Sequence, residues 1–186
     1  MIWFTSDLHF HHNNVIKHCD RPFSSKEEMT EALIENWNKR VKKREEVWVL
    51  GDFSFAGIER TREIVKRLNG DIRIVRGNHD KPARQLIEMG FSNVYENHSI
   101  WLGGYKVNLS HFPHYPNQTE KENPYLDRRY LHKRIVNDGL PLLHGHTHSE
   151  ENVRTHNGLE IHVGVDAWDY RPVSSNEILK IIEEYK

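Results

Sequence analysis

The sequence predicts an α/β domain with a mixed β-sheet and helices on its faces. Three observations carry this. Short apolar runs alternate with amphipathic helical segments through the first half. Strand-like runs dominate the second half. The length, 186 residues, suits one domain spanning 1–186 with a sizeable core. Residues 1–5, MIWFT, form an apolar run of strand length. Residues 26–42 follow as a helix, with a capping box from Ser25 to Glu28 and a stripe of Met29, Leu33, Trp37 and Val41. EVWVL at 46–50 is a second strand, and 58–68 a helix ended by Asn69-Gly70. DIRIVR at 71–76 is a third strand. Residues 82–89 make a short helix with proline in its first turn and Gly90 at its end. SIWL, YKVNLS, LPLLHG and LEIHVGV supply further strands, and a helix at 176–185 is capped by Ser175. Segment 112–139 breaks the alternation. It is polar, contains three prolines and offers only a short helical stretch at 126–136, so it reads as a functional loop or lid.

The composition removes several function classes. The chain is 37% hydrophobic and 28% charged with net charge −1, which leaves no large basic face for long nucleic acid. No apolar run reaches membrane-spanning length. The opening MIWFTSD meets a carboxylate too early for a signal peptide, and Cys19 is the single cysteine. A reduced, cytoplasmic setting is expected. Nothing in the sequence fixes an oligomeric state. Fourteen histidines are many for this length, and they cluster beside Asp and Gly.

LLHGHTHSEE shows the clustering best. His144, His146 and His148 occupy alternate positions, which in an extended segment share a face. Imidazoles grouped this way need partners for their ring nitrogens, and a metal ion satisfies several at once. His144 lies deeper in the strand, where a backbone-bonded structural histidine is the better reading. The other unusual residues follow predicted strands: Asp7 and His9 the first, Asp52 the second, Asn78, His79 and Asp80 the third, His111 the strand YKVNLS, and His146 and His148 the strand LPLL. Sites in α/β sheets form beyond carboxyl ends of strands. The donors are two carboxylates, four imidazoles and one amide oxygen. Seven donors exceed the needs of one tetrahedral ion and suit two ions sharing a carboxylate. Two carboxylates against two dications leave a cationic centre, which attracts phosphate and lowers the pKa of a bridging water.

The order DLH, GD, GNHD, SH and GHTH over residues 7–148 resembles the calcineurin-like metallophosphoesterases, most of all their small, cap-less bacterial, archaeal and phage-type members. The resemblance implies a two-sheet sandwich flanked by helices, in four layers, and hydrolysis of phosphoesters. It implies one metal on Asp7, His9, Asp52 and His148, and another on Asp52, Asn78, His111 and His146, with Asp52 bridging. His79 would contact the phosphate and protonate or stabilise the leaving oxygen, and Asp80 would orient His79. His114 competes with His111, which is preferred for its place at the strand end.

The expected activity is that of a dinuclear metal-dependent phosphodiesterase. A hydroxide on the metals attacks a small nucleotide or other phosphodiester, and Mn²⁺, Fe²⁺/Fe³⁺ or Zn²⁺ all suit the mixed ligands. Phosphomonoesterase, protein phosphatase and nuclease activities are the enzymatic alternatives. An inactive metal-binding interaction scaffold is the alternative from another class. His12, Asn14 and Arg21 are candidates for lining the substrate pocket. Arg128, Arg129, Lys133 and Arg134 give the lid a basic patch, which also suits a solvated face. Asp166 and Trp168, after the last strand, receive no role.

Overall fold

The computed structural model describes residues 1–122 and 128–185. The chain runs β1 (Ile2–Thr5), α1 (Asn13–His18), α2 (Lys26–Arg40), β2 (Glu46–Val49), α3 (Ile58–Arg67), β3 (Asp71–Val75), α4 (Ala83–Met89), β4 (Asn93–Tyr95), β5 (His98–Leu102) and β6 (Tyr105–Leu109). It continues through α5 (Gln118–Lys121), β7 (Leu142–His144), β8 (Val153–Arg154), β9 (Glu160–His162), β10 (Val173–Ser174) and α6 (Ser175–Glu184). One sheet has the order β10-β1-β2-β3-β4, parallel except for β10. The other has the order β5-β6-β7-β9-β8, with a parallel centre and antiparallel edges. The expected mixed α/β sandwich flanked by helices is the observed fold.

Strand alternation builds two cores from one sheet. Trp3, Val47, Val49, Ile72 and Ile74 point to the helical side, where they meet Met29, Leu33 and Trp37 of α2 and Ile64 of α3. Phe4, Trp48, Leu50 and Val75 belong to the other core, with Val107, Leu109, Leu143 and Ile161 of the second sheet. Each fully buried large side chain contributes roughly 1.5–3 kcal/mol. These two cores, more than local propensity, hold strands of two to five residues in place. Ile178 and Ile182 of α6 join the inter-sheet core, and Leu179 packs on Gly103 at the β5–β6 turn. The polar face of the second sheet is met by the long insertion: Asn108 donates to Asp138, and Glu160 accepts from the backbone of His114.

Several local expectations change. Ser25 does cap α2 by accepting from the Glu28 amide, but the Glu28 carboxylate turns to Ser24, so the box is not reciprocal. The last helix is capped one residue earlier than expected: Ser174 and Glu177 form a reciprocal capping box. The structure adds the short α1, β4, β8 and β10, which are too brief to announce themselves by periodicity. The helical stretch expected at 126–136 begins outside the described residues. From 128 onward there is only a 3₁₀ turn at Leu131–Lys133. No helix among the described residues is long and apolar enough to cross a membrane.

The cap makes a direct test. Ser174→Ala should destabilise the protein by about 1 kcal/mol in urea unfolding. Ser175→Ala, which leaves the cap in place, should cost less. The reverse order would move the cap back to Ser175.

Candidate metal centre

The loops leaving β1, β2, β3, β6 and β7 converge at one end of the sandwich. Five of the seven expected ligands sit in left-handed backbone: Asp7 (φ 54°), His9 (50°), Asp52 (55°), His146 (71°) and His148 (50°). Such conformations cost roughly 1–3 kcal/mol each for residues with a Cβ, and persist only where surroundings enforce them. The enforcing bonds are specific. The amides of Asp7 and His9 donate to the carbonyls of Gly51 and Asp52, both at 3.0 Å. The His146 amide donates to Asp7 Oδ2 at 2.9 Å, and the His79 amide to Asp52 Oδ1 at 3.0 Å. Neighbouring glycines leave no room for a side chain. A Cβ at Gly77 would lie 2.1 Å from Asp52 Oδ1, and one at Gly145 2.5 Å from Asp7 Oδ2.

The side chains then meet with ring nitrogens and carboxylates converging. His148 Nδ1 lies 2.8 Å from Asp166 Oδ2, which accepts its proton, and Nε2 lies 3.2 Å from His9 Nε2, where its lone pair becomes available once a cation displaces the proton there. His111 Nδ1 donates to the Leu50 carbonyl at 2.8 Å, which turns its Nε2 toward Asn78 Oδ1 at 3.1 Å. Asp52 Oδ2 sits between these sets, 3.7 Å from His9 Nε2 and 3.6 Å from His111 Nε2. Asp7, His9 and His148 bring ligand atoms within 4.8 Å of one another, and so do Asp7, Asp52 and His111. Both carboxylates are buried. Converging lone pairs and buried carboxylates form a donor set that cations fit.

The electrostatics agree. Burial works against ionised Asp7, but His148, His111, His162 and His9 around it hold the carboxyl below the carboxylate range. Burial, with the Asp7 and Asp80 charges, pushes Asp52 up to about 7, opposed by His111. Burial also disfavours a charged His148, yet the bonds to Asp166 and Cys19 and the Asp7 charge raise it to about 10. A site that concentrates negative charge this strongly binds protons or metal ions at the same atoms.

The sequence pattern of the calcineurin-like phosphoesterase superfamily domain matches residues 1–166. The chain belongs to this superfamily. It is 35% identical over 191 residues to protein MJ1445 of Methanocaldococcus jannaschii, spanning 100% of this chain and 93% of that one. It is 34% identical over 204 residues to the Gene 66 protein of Mycobacterium phage D29, covering 98% of each. Among solved structures it resembles AQ665 of Aquifex aeolicus, with TM-score 0.71, 26% identity and coverage of 97% and 98%. This calcineurin-like phosphoesterase therefore has the fold and the hydrolase lineage that its motifs imply. The superfamily is metal-dependent, and it acts on phosphoesters.

Not every expected residue has its expected surroundings. The alternation argument for the three histidines fails: β7 ends at His144, and left-handed backbone aims His146 and His148. His144 is buried and bonded to the Gly145 carbonyl, as a structural histidine. His111 lies in the centre, whereas His114 turns away to Glu160 and the Asn157 carbonyl. Asp80 accepts from the amides of Asp52, Phe53 and Gly77, so it ties the second and third loops together instead of bonding the His79 ring. Arg21 is no substrate ligand. It is buried, it grips Asp166 with two bonds, and it donates to the carbonyls of Asp7 and Leu8 and to Met29 Sδ. His12 stands at the mouth, 5.3 Å from the His9 ring, while Asn14 is exposed on α1 and makes no hydrogen bond to the centre. Asp166, given no role from sequence, links Arg21 to His148. Its signal was the same strand-end position that marked the candidate ligands, one short turn after β9. His162, also buried, brings Nε2 to 3.9 Å from Asp7 Oδ2.

Gly145→Ala isolates the close approach, because it adds only a methyl group against Ser6 and Asp7. It should weaken metal binding about 10–100-fold, the usual scale for disturbing groups that hold ligands. Gly57→Ala, where a Cβ meets nothing within 4 Å, is the control. Titration with Mn²⁺ followed by calorimetry reads both, and equal affinities would show that Asp7 tolerates the methyl.

Proposed function

We propose that this phosphoesterase is a dinuclear phosphodiesterase acting on a small nucleotide or similar diester in a cytoplasmic setting. The observation that carries the reading is the position of Asp52 Oδ2 midway between the His9 and His111 rings, with one donor set on each side. That supports Asp7, His9, Asp52 and His148 as ligands of one ion, and Asp52, Asn78, His111 and His146 as ligands of the other. Mn²⁺, iron and Zn²⁺ all suit these oxygen and nitrogen donors. When bound, the ions lower the pKa of water and draw charge from the phosphoryl oxygens.

The chain's own groups do the rest. His79 stands beside the centre with its side chain 47% exposed and Nε2 4.0 Å from Asp52 Oδ2, so it reaches a substrate oxygen outside the ligand sphere. Burial and His111 push its pKa down, and Asp80 pulls it back up. The lowered value makes the protonated ring a stronger acid, and a phosphate's negative charge favours that protonated form. In hydrolysis, water oxygen bonds to phosphorus, the ester P–O bond breaks, and the departing oxygen takes its proton from His79.

A diester has a second substituent to house. On the His146 side the site opens into a cavity of about 880 Å³, lined by Pro113, His114, Glu120 and Arg134 of the insertion and by Thr147, Arg154 and Glu160. Tyr130 and Phe112 of the insertion pack on the His146 ring at 5.6 and 4.7 Å. This supports the insertion as a pocket wall that receives the retained group, with His79 facing the leaving one. The net charge of −1 favours a small substrate over a polymer.

Two measurements test the reading. Elemental analysis after metal loading should approach two equivalents per chain. Saturation at one would sink the dinuclear assignment. His79→Ala should retain both metals and slow an alkyl or ribose diester by about 10²–10⁴-fold in kcat/KM, but a nitrophenyl diester far less. Equal losses on the two esters would make His79 a phosphate ligand only.

A further inference from the structure

Phe55 is a large apolar side chain left 41% exposed, and it stands at the mouth of the metal centre. Its ring lies 4.8 Å from His79 and 5.3 Å from His9. One face is occupied: His12 stacks on it at 3.7 Å with the planes only 10° apart. The part left exposed lies outside this stack and borders His79, the ring that faces the leaving group. A lone exposed aromatic is ordinary on a protein surface. This one is held flat by a parallel partner, and its open area borders the reacting groups. His12 is the N-cap residue of α1, and its Nδ1 is buried. We propose that Phe55, backed by His12, is the stacking platform for a planar leaving group, namely the base of a nucleoside, and so sets specificity for nucleotide diesters.

The inference rests on the phosphodiesterase reading, since the phosphate must sit on the metals for the base to reach Phe55. The chemistry is suited to it. Every nucleobase has a π-face, and stacking on an aromatic side chain adds affinity without requiring a particular hydrogen-bond pattern. Phe55 has no polar atom, so it reads the flatness of the ligand and not its edge. The cavity on the His146 side is lined by charged groups, Glu120, Arg134, Glu151 and Arg154, together with Tyr185, whereas Phe55 stands directly against His79 and His9.

Calorimetry on metal-loaded protein separates the steps with three probes: inorganic phosphate, ribose 5-phosphate and adenosine 5′-monophosphate. The wild type should bind the nucleotide about tenfold more tightly than ribose 5-phosphate, the usual scale of one base stacked on an aromatic ring. Phe55→Ala and Phe55→Leu should both erase that preference, and Phe55→Trp should keep or strengthen it. The Trp variant should also show quenched emission on nucleotide binding. A preference that survives in Phe55→Leu would make Phe55 an apolar cover for His9 and overturn the platform. So would the absence of any preference in the wild type while phosphate still binds. Failure of the metal-loaded wild type to bind phosphate at all would instead bring down the phosphodiesterase reading beneath it.

Discussion

Two buried carboxylates held together by the ends of neighbouring strands are the constraint on which this molecule turns. Asp7 and Asp52 follow adjacent parallel strands, and their side chains enter the same water-poor space. Like charges in that setting repel, which is why burial and Asp7 together push the Asp52 carboxyl up to about 7. The surrounding imidazoles relieve Asp7, and cations would relieve both. Much of the local backbone exists to hold this arrangement against its own repulsion. The left-handed residues, the side-chain-free glycines and the amides aimed at carboxylate oxygens all serve one geometry.

The second tier of support runs through residues that touch no substrate. Arg21 is the clearest. From the loop after α1 it reaches under the centre, binds the carbonyl of Asp7 at 2.7 Å and grips Asp166. Asp166 in turn fixes the direction of His148. The link joins the loop after α1 to the segment after β9, so His148 is tied to both. Asp80 plays the corresponding part on the other side by accepting three amides from two loops. Removing either brace would leave buried donors or acceptors unsatisfied, which is more damaging than the loss of the bond alone.

The two sides of the centre differ in character. His79, Phe55 and His12 form an aromatic edge, while His146 opens on a cavity of mixed charge walled by the insertion. An asymmetric site is what a diester with two unlike substituents requires. The insertion, which carries the short α5, is anchored through Asn108–Asp138 and Glu160–His114 to the polar face of the second sheet.

The sandwich, and the strand-end positions of the seven candidate donors, were legible in the sequence alone. The strands of the first sheet are apolar on both faces because both are covered, and the seven donors follow strands in an order specific to this superfamily. Those signals are local, being periodicity and short motifs, so they survive without coordinates. Pairing between distant segments decided the rest. Whether His111 or His114 enters the centre depends on where Leu50 and Glu160 lie, and neither is near in sequence. Arg21 is a candidate anion ligand from sequence because a guanidinium near the strand-end loops suits phosphate. Only the fold brings Asp166, 145 positions away, to neutralise it. The backbone turns that aim His146 and His148 were equally illegible, since left-handed residues other than glycine leave no compositional mark and are imposed by the contacts around them.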